Sequence, residues 1–159
     1  MKKSFFIDYE EYSERSALSA EEQHLVALAT ASAGKANATY SQFYVGAAIA
    51  LADGVYVTGN NQENPAYPSS MCAERVALYA ARANYPDKKM ISMAVVALDK
   101  DGTREQPAMP CGACRQVMNG YEEQNEDPVS LICAGRNKVL RFNSFSDVLP
   151  FAFGVDDLE

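Results

Sequence analysis

The sequence predicts an α/β domain built on a mixed five-stranded sheet with helices on its faces. Three observations lead there. Apolar runs of strand length (Val45–Ala52, Val55–Gly59, Ile91–Leu98, Val129–Ala134 and Val139–Phe142) are interleaved with Ala-rich helical stretches. The last two runs are joined only by Gly135-Arg136-Asn137-Lys138. That link is too short for a parallel crossover, so the pair is antiparallel. The order of helix, two strands, then helix–strand–helix–strand–strand suits a sheet that needs covering.

In chain order, residues 1–17 are polar and mixed, and read as an irregular arm with a short helix. Ser19 and Glu22 stand three apart as a capping box. They open a helix that places Leu25, Leu28 and Ala29 on one face and runs to about Ala36. Asp53-Gly54 between the first two strands is a hairpin signal. Asn60–Ser70 is a polar loop with Pro65 and Pro68. A helix from Cys72 to about Tyr85 stops before Pro86, and Ile91–Leu98 is a buried strand. Asp99–Met109 is a charged loop, Cys111 to about Tyr121 is helical, and Phe145–Leu149 forms one more helical turn in a tail over residues 145–159. No repeat, linker or low-complexity segment interrupts the 159 residues, which read as one domain.

Composition narrows the function. Hydrophobic residues make up 48% and charged residues 22%, enough for a packed core. No apolar stretch reaches the length of a membrane span. Met1-Lys2-Lys3-Ser4 is basic, but Phe5-Phe6-Ile7 is far shorter than a signal-peptide core and Asp8 ends it. The chain reads as cytoplasmic, with no membrane partner. Its net charge of −7 opposes binding to phosphate backbones, and no basic run offsets it. A small, weakly charged substrate is expected rather than a nucleic acid.

The chemistry lies in three segments: Asn61-Gln62-Glu63-Asn64, Cys72-Ala73-Glu74 and Pro110-Cys111-Gly112-Ala113-Cys114. In an intracellular protein a close cysteine pair signals metal more often than a disulfide. The only histidine is His24, in a stretch without a motif, so a metal site here is mainly thiolate. Cys111 and Cys114, three apart at a helix start, project to one side. Helix N-termini favour thiolates, and zinc takes them in tetrahedral sets. A third thiolate from Cys72 leaves one position for water, the pattern of catalytic rather than structural zinc. Glu74, two residues on, can serve as proton shuttle without being a ligand. Cys-x-Glu followed by Pro-Cys-x-x-Cys is the signature of the zinc nucleobase deaminases. Three thiolates and Zn²⁺ sum to one negative charge, which calls for a nearby cation. Arg75 is the natural donor to the sulfurs, and Arg115 the alternative. Cys133, mid-strand in an apolar run, reads as a small buried hydrophobe.

The chain resembles the small homotetrameric cytidine deaminases that hold zinc with three cysteines. The likeness runs from Tyr40-Ser41-Gln42-Phe43-Tyr44-Val45-Gly46-Ala47-Ala48, through Asn61–Pro68 and Cys72-Ala73-Glu74-Arg75, to Pro110–Gln116 and the tail Leu149–Leu158. The resemblance implies a three-layer α/β/α sandwich and one Zn²⁺ per chain. It implies a hydrolase of pyrimidine salvage that converts cytidine and 2′-deoxycytidine to their uridine counterparts and ammonia. Glu74 is then the proton shuttle. Asn61 and Glu63 bind the ribose 3′-hydroxyl, and Phe43 packs against the base. The Ala73 N–H and the Cys111 carbonyl meet the pyrimidine's polar edge. Phe153 reaches a neighbouring subunit's site in a homotetramer. Tyr44, Pro65 and Val155 depart from the usual pattern. The 38 residues between Cys72 and Cys111 point to an extended Asp99–Met109 loop.

Simpler readings compete. Asn61 and Glu63 by themselves are ordinary loop residues, Phe43 and Phe153 ordinary core or interface aromatics, and Arg75 a solvated helix residue. A deaminase of blasticidin S-like molecules shares the zinc motif. A nucleic-acid-editing deaminase fits neither the acidity nor the short Gly135–Lys138 link. A non-catalytic zinc module would need a fourth protein ligand.

Overall fold

The Asp53-Gly54 pair makes the turn its chemistry suggests. Asp53 (φ 60°) and Gly54 (φ 69°) both take positive φ, the backbone that lets a tight hairpin follow the strand twist. It joins β2 (Tyr44–Leu51) to β3 (Val55–Asn60) in antiparallel register, with Leu51 opposite Val55. The computed structural model describes residues 1–158. Within them β4 (Met90–Asp99) pairs antiparallel with β2 and parallel with β6 (Ser130–Ala134). A parallel neighbour needs a crossover, and helix α3 (Gly112–Asn125) supplies it. Strand β7 (Val139–Phe142) returns antiparallel beside β6, as the short link requires.

The sheet has seven strands where five are legible. The N-terminal arm is not irregular throughout: Tyr9–Tyr12 forms β1, antiparallel to β7 at the sheet edge. It is exposed along most of its length, so it shows no apolar alternation to betray it. The charged loop contributes β5 (Gly102–Thr103), which folds back on the end of β4. The path is β1-β7-β6-β4-β2-β3, with β5 beside β4. The expected short helix of the arm is a 3₁₀ turn at Arg15–Ala17, and another closes Phe145–Val148.

Alternation along the central strands creates the layers. Ala47, Ile49, Met93, Val95, Leu131 and Cys133 point to one face, against α2 (Ala73–Asn84) and α3. Ala48, Ala94, Val96, Ile132 and Ala134 point to the other, against α1 (Ala20–Ala33). The result is the three-layer α/β/α sandwich. Helix α1 opens on the capping box: Ser19 Oγ accepts from the Glu22 N–H at 3.3 Å, and Glu22 Oε2 accepts from the Ser19 N–H at 3.0 Å. It ends at Ala33, short of the Ala36 read from the sequence.

One close approach sets the position of the site. A Cβ on Gly59 would stand 2.4 Å from the Ala77 nitrogen and 2.6 Å from the Ala73 oxygen. Glycine there lets the first turns of α2 lie directly on β3. Those turns carry Glu74 and Arg75, and Cys72 caps them.

Candidate metal centre and active site

Two helix starts converge on one side of the sheet. Cys72 is the N-cap of α2, Cys111 is the N-cap of α3, and Cys114 follows in the first turns of α3. Neither cap uses a side-chain hydrogen bond to its helix, so both sulfurs are free to face each other. Cys72 Sγ lies 3.9 Å from Cys111 Sγ, which lies 3.5 Å from Cys114 Sγ. All three atoms are within 4.8 Å of one another. Tetrahedral zinc with Zn–S bonds of about 2.3 Å holds its sulfurs roughly 3.8 Å apart. The donor set and its spacing therefore fit one zinc. Among the described residues no fourth protein ligand joins the group.

Electrostatics favour the same reading. Three close thiols cannot all ionise without a cation between them. The Cys72 thiol is brought down to about 5, chiefly by a hydrogen bond from Cys114 and further by Arg75, against the effect of burial. The Cys114 thiol is pushed up by giving that hydrogen bond and by burial. A dication relieves this competition by offsetting all but one of the three negative charges. Arg75 Nη2 lies 3.7 Å from Cys72 Sγ, in place to temper its charge. Arg115 does something else. Its Nε donates to the Pro110 carbonyl at 2.8 Å and its Nη1 to the Val148 carbonyl at 3.0 Å. It braces the turn before Cys111 and does not reach a sulfur.

Glu74 is only 5% exposed. Burial raises its carboxyl pKa, and the negative charge of Cys72 raises it further. A buried carboxyl of raised proton affinity, beside a set of thiols that fits a metal, is equipped to take up and return a proton.

A cavity of about 400 Å³ opens onto this cluster. Phe43, Asn61, Glu63, Ala73 and Glu74 line it, with Cys72 and Cys111. Loop-to-strand bonds fix its rim. Asn61 Oδ1 accepts from the Val45 N–H at 2.7 Å, and its Nδ2 donates to the Phe43 carbonyl at 2.9 Å. Glu63 accepts from the N–H groups of Tyr40 at 2.8 Å and Ser41 at 3.2 Å, and from the Ser41 hydroxyl. These bonds, the hydroxyl's first, hold its carboxyl below the usual range. Ser41, Ala108 and Met109 also line the cavity. None carries a role in the sequence reading. Ser41 stands two residues before Phe43, and that neighbourhood is the only signal that points to it.

The family described as "Cytidine and deoxycytidylate deaminase zinc-binding region" matches residues 19–127. The chain belongs to this family. A cytidine deaminase of Mycobacterium tuberculosis is 38% identical over 133 residues, 82% of this chain and 87% of that protein. One from Halalkalibacterium halodurans is 36% identical over 127 residues, 75% of this chain and 83% of that protein. The crystal structure of a cytidine deaminase from Burkholderia pseudomallei superposes with a TM-score of 0.68 at 35% identity, over 86% of this chain and 100% of the other.

Three expected site residues of this deaminase do not line the cavity: Cys114 and Arg75, which contact the sulfurs beside it, and Phe153, which follows the matched residues 19–127. Phe153 is 59% exposed, and its carbonyl accepts from Gln116 Nε2 at 2.7 Å on α3. His24 lies edge-on to Tyr56, with ring centroids 5.0 Å apart, and Cys133 is fully buried in β6. Neither joins the metal group.

The geometry predicts that Cys111→Ser lowers bound zinc from near one per chain to a small fraction, and lowers the melting temperature because the metal ties α2 to α3. Metal analysis of unchelated protein is the check, and zinc retained at the wild-type level would refute the assignment.

Proposed function

We propose that this chain catalyses the zinc-dependent hydrolytic deamination of cytidine and 2′-deoxycytidine, yielding the uridine nucleoside and ammonia. The observation that carries the reading is a buried carboxylate, Glu74, beside three clustered thiols, at the base of a cavity large enough for a small ligand. Cys72, Cys111 and Cys114 would hold the zinc, which when bound would supply Lewis acidity enough to bring the pKa of a water to about 7. Glu74 accepts the proton of the water that adds at C4 of cytosine and delivers it to N3. The remaining proton of the added water, now on the C4 hydroxyl, then passes by way of Glu74 to the amine; the C4–N bond breaks as the C4 carbonyl forms, and ammonia leaves. Arg75 donates to the Cys72 sulfur and limits the negative charge of the cluster.

The remaining groups bind and orient. The Ala73 N–H, at a helix start where the helix offers it no acceptor, and the Cys111 carbonyl meet the polar edge of the base. Phe43 packs against its face. Asn61 and Glu63 hold the 3′-hydroxyl, with the rim bonds keeping both side chains in place before substrate arrives. The substrate is a free nucleoside rather than a polynucleotide: net charge is −7, and Gly135–Lys138 joins β6 to β7 directly. No helix among the described residues is long and apolar enough to cross a membrane. The setting we propose is cytoplasmic, in one catalytic domain spanning residues 1–159.

We further propose a homotetramer in which Phe153 enters a neighbour's cavity. Its absence from the lining of its own chain's cavity and the exposure of Phe151 and Phe153 support this.

Three outcomes follow. Glu74→Gln keeps zinc and loses on the order of 10²–10⁴ in turnover, followed as the absorbance change on converting cytidine to uridine; near-normal turnover excludes the shuttle. Glu63→Ala costs about tenfold in kcat/KM on cytidine but little on 3′-deoxycytidine; an equal loss on both substrates removes the sugar role. Subunits carrying Glu74→Gln, mixed under exchange with subunits carrying Phe153→Ala, regain activity above either parent. No gain, with exchange demonstrated, places the role of Phe153 within its own chain.

A further inference from the structure

The loop between β4 and α3 is anchored more firmly than its charged sequence suggests. β4 turns through Gly102 (φ 106°) into β5. The next residue, Arg104, donates its N–H to the Ala97 carbonyl at 3.1 Å and accepts at its own carbonyl from the Arg136 N–H at 2.8 Å. The chain then passes against Gly135. A Cβ on Gly135 would stand 2.3 Å from the Glu105 oxygen and 2.8 Å from the Pro107 nitrogen, so the absence of a side chain there admits the loop. Arg15 Nε fixes the same Gly135 through its carbonyl at 2.9 Å, and Arg136 pairs with Glu105 at 2.9 Å. Arg104 thus leaves a backbone held on both sides.

Its side chain runs toward the site. The Arg104 guanidinium carbon lies 5.1 Å from the centroid of the Phe43 ring, within cation–π range. Phe43 lines the cavity, and so do Ala108 and Met109 at the far end of the same loop. One loop therefore supplies part of the cavity wall and the cation packed on the aromatic residue of the rim.

We infer that Arg104 is a positioning residue for substrate binding: its guanidinium holds the Phe43 ring in the orientation that meets the base. This rests on the reading of the cavity as a nucleoside site. A ring ordered before binding spares the ligand that ordering cost. The contact involves neither Glu74 nor a thiol, so it acts on the bound substrate and the transition state alike and appears in KM rather than kcat.

The test compares wild type with Arg104→Lys, Arg104→Met and Arg104→Ala, measuring KM and kcat on cytidine together with zinc content and melting temperature. Arg104→Met keeps the aliphatic stem and removes the charge; Arg104→Lys keeps a cation. An exposed cation–π contact corresponds to roughly a two- to fivefold change in affinity. KM rises by that factor in Arg104→Met and Arg104→Ala, kcat stays within about twofold, and Arg104→Lys restores most of KM. Zinc and melting temperature hold at wild-type values, since Arg104 is exposed. A wild-type KM in Arg104→Met overturns the inference, as does a fall in kcat at constant KM or a loss of zinc in any variant. Absence of cytidine turnover in wild type overturns the reading of the cavity, whatever the variants do.

Discussion

Three sulfur atoms from two separate helices must lie within 4.8 Å of one another, and much of the architecture answers to that requirement. Cys72 and Cys111 both stand at helix N-caps, so the two helices must begin at nearly the same point although β4, β5 and a loop separate them in sequence. The close contact of Gly59 with Ala73 and Ala77 sets where α2 begins. The parallel pairing of β4 with β6 makes α3 cross back over the same face. Arg115 ties the turn at Pro110 to Val148, which holds the start of α3 against the segment that follows the sheet. The metal in turn joins both helices, so site and fold support each other.

The charge of the cluster has a second effect. Thiolates at this spacing repel, and helix N-termini, Arg75 and a dication all act against that repulsion. Glu74 sits in the same field. Its burial and the neighbouring Cys72 charge both favour the protonated form, which suits the proton-shuttle role proposed for it. On the opposite side of the cavity the polar groups work differently. Asn61 and Glu63 spend much of their hydrogen-bonding capacity on the backbone of Tyr40, Ser41, Phe43 and Val45. They are structural members of the rim as well as candidate contacts to the sugar.

Much of this was legible in the residues. The hairpin at Asp53-Gly54, the capping box at Ser19, the helix ending before Pro86 and the antiparallel last pair all appear where local chemistry puts them. Strands β1 and β5 did not show, because one is a polar edge strand and the other is two residues long. Neither carries a periodicity that a pattern can reveal. The choice between Arg75 and Arg115 as donor to sulfur was open in one dimension, since each adjoins a catalytic motif. The two differ in direction: Arg75 turns to Cys72, and Arg115 to backbone carbonyls.

By itself the sequence determined the chemistry of the donor set, because Cys-Ala-Glu and Pro-Cys-x-x-Cys carry their ligands at spacings that the helix repeat converts into geometry. It also determined the alternation that buries both faces of the sheet. Only the tertiary structure decided which distant residues share the cavity: that Ser41 serves Glu63, that the loop ending in Met109 forms a wall, that Arg104 lies on Phe43, and that Phe153 is not part of the lining. The physical reason is range. Capping, turn formation and helical spacing act over a few residues and leave a local signature, whereas contacts across the sheet depend on where each element is packed.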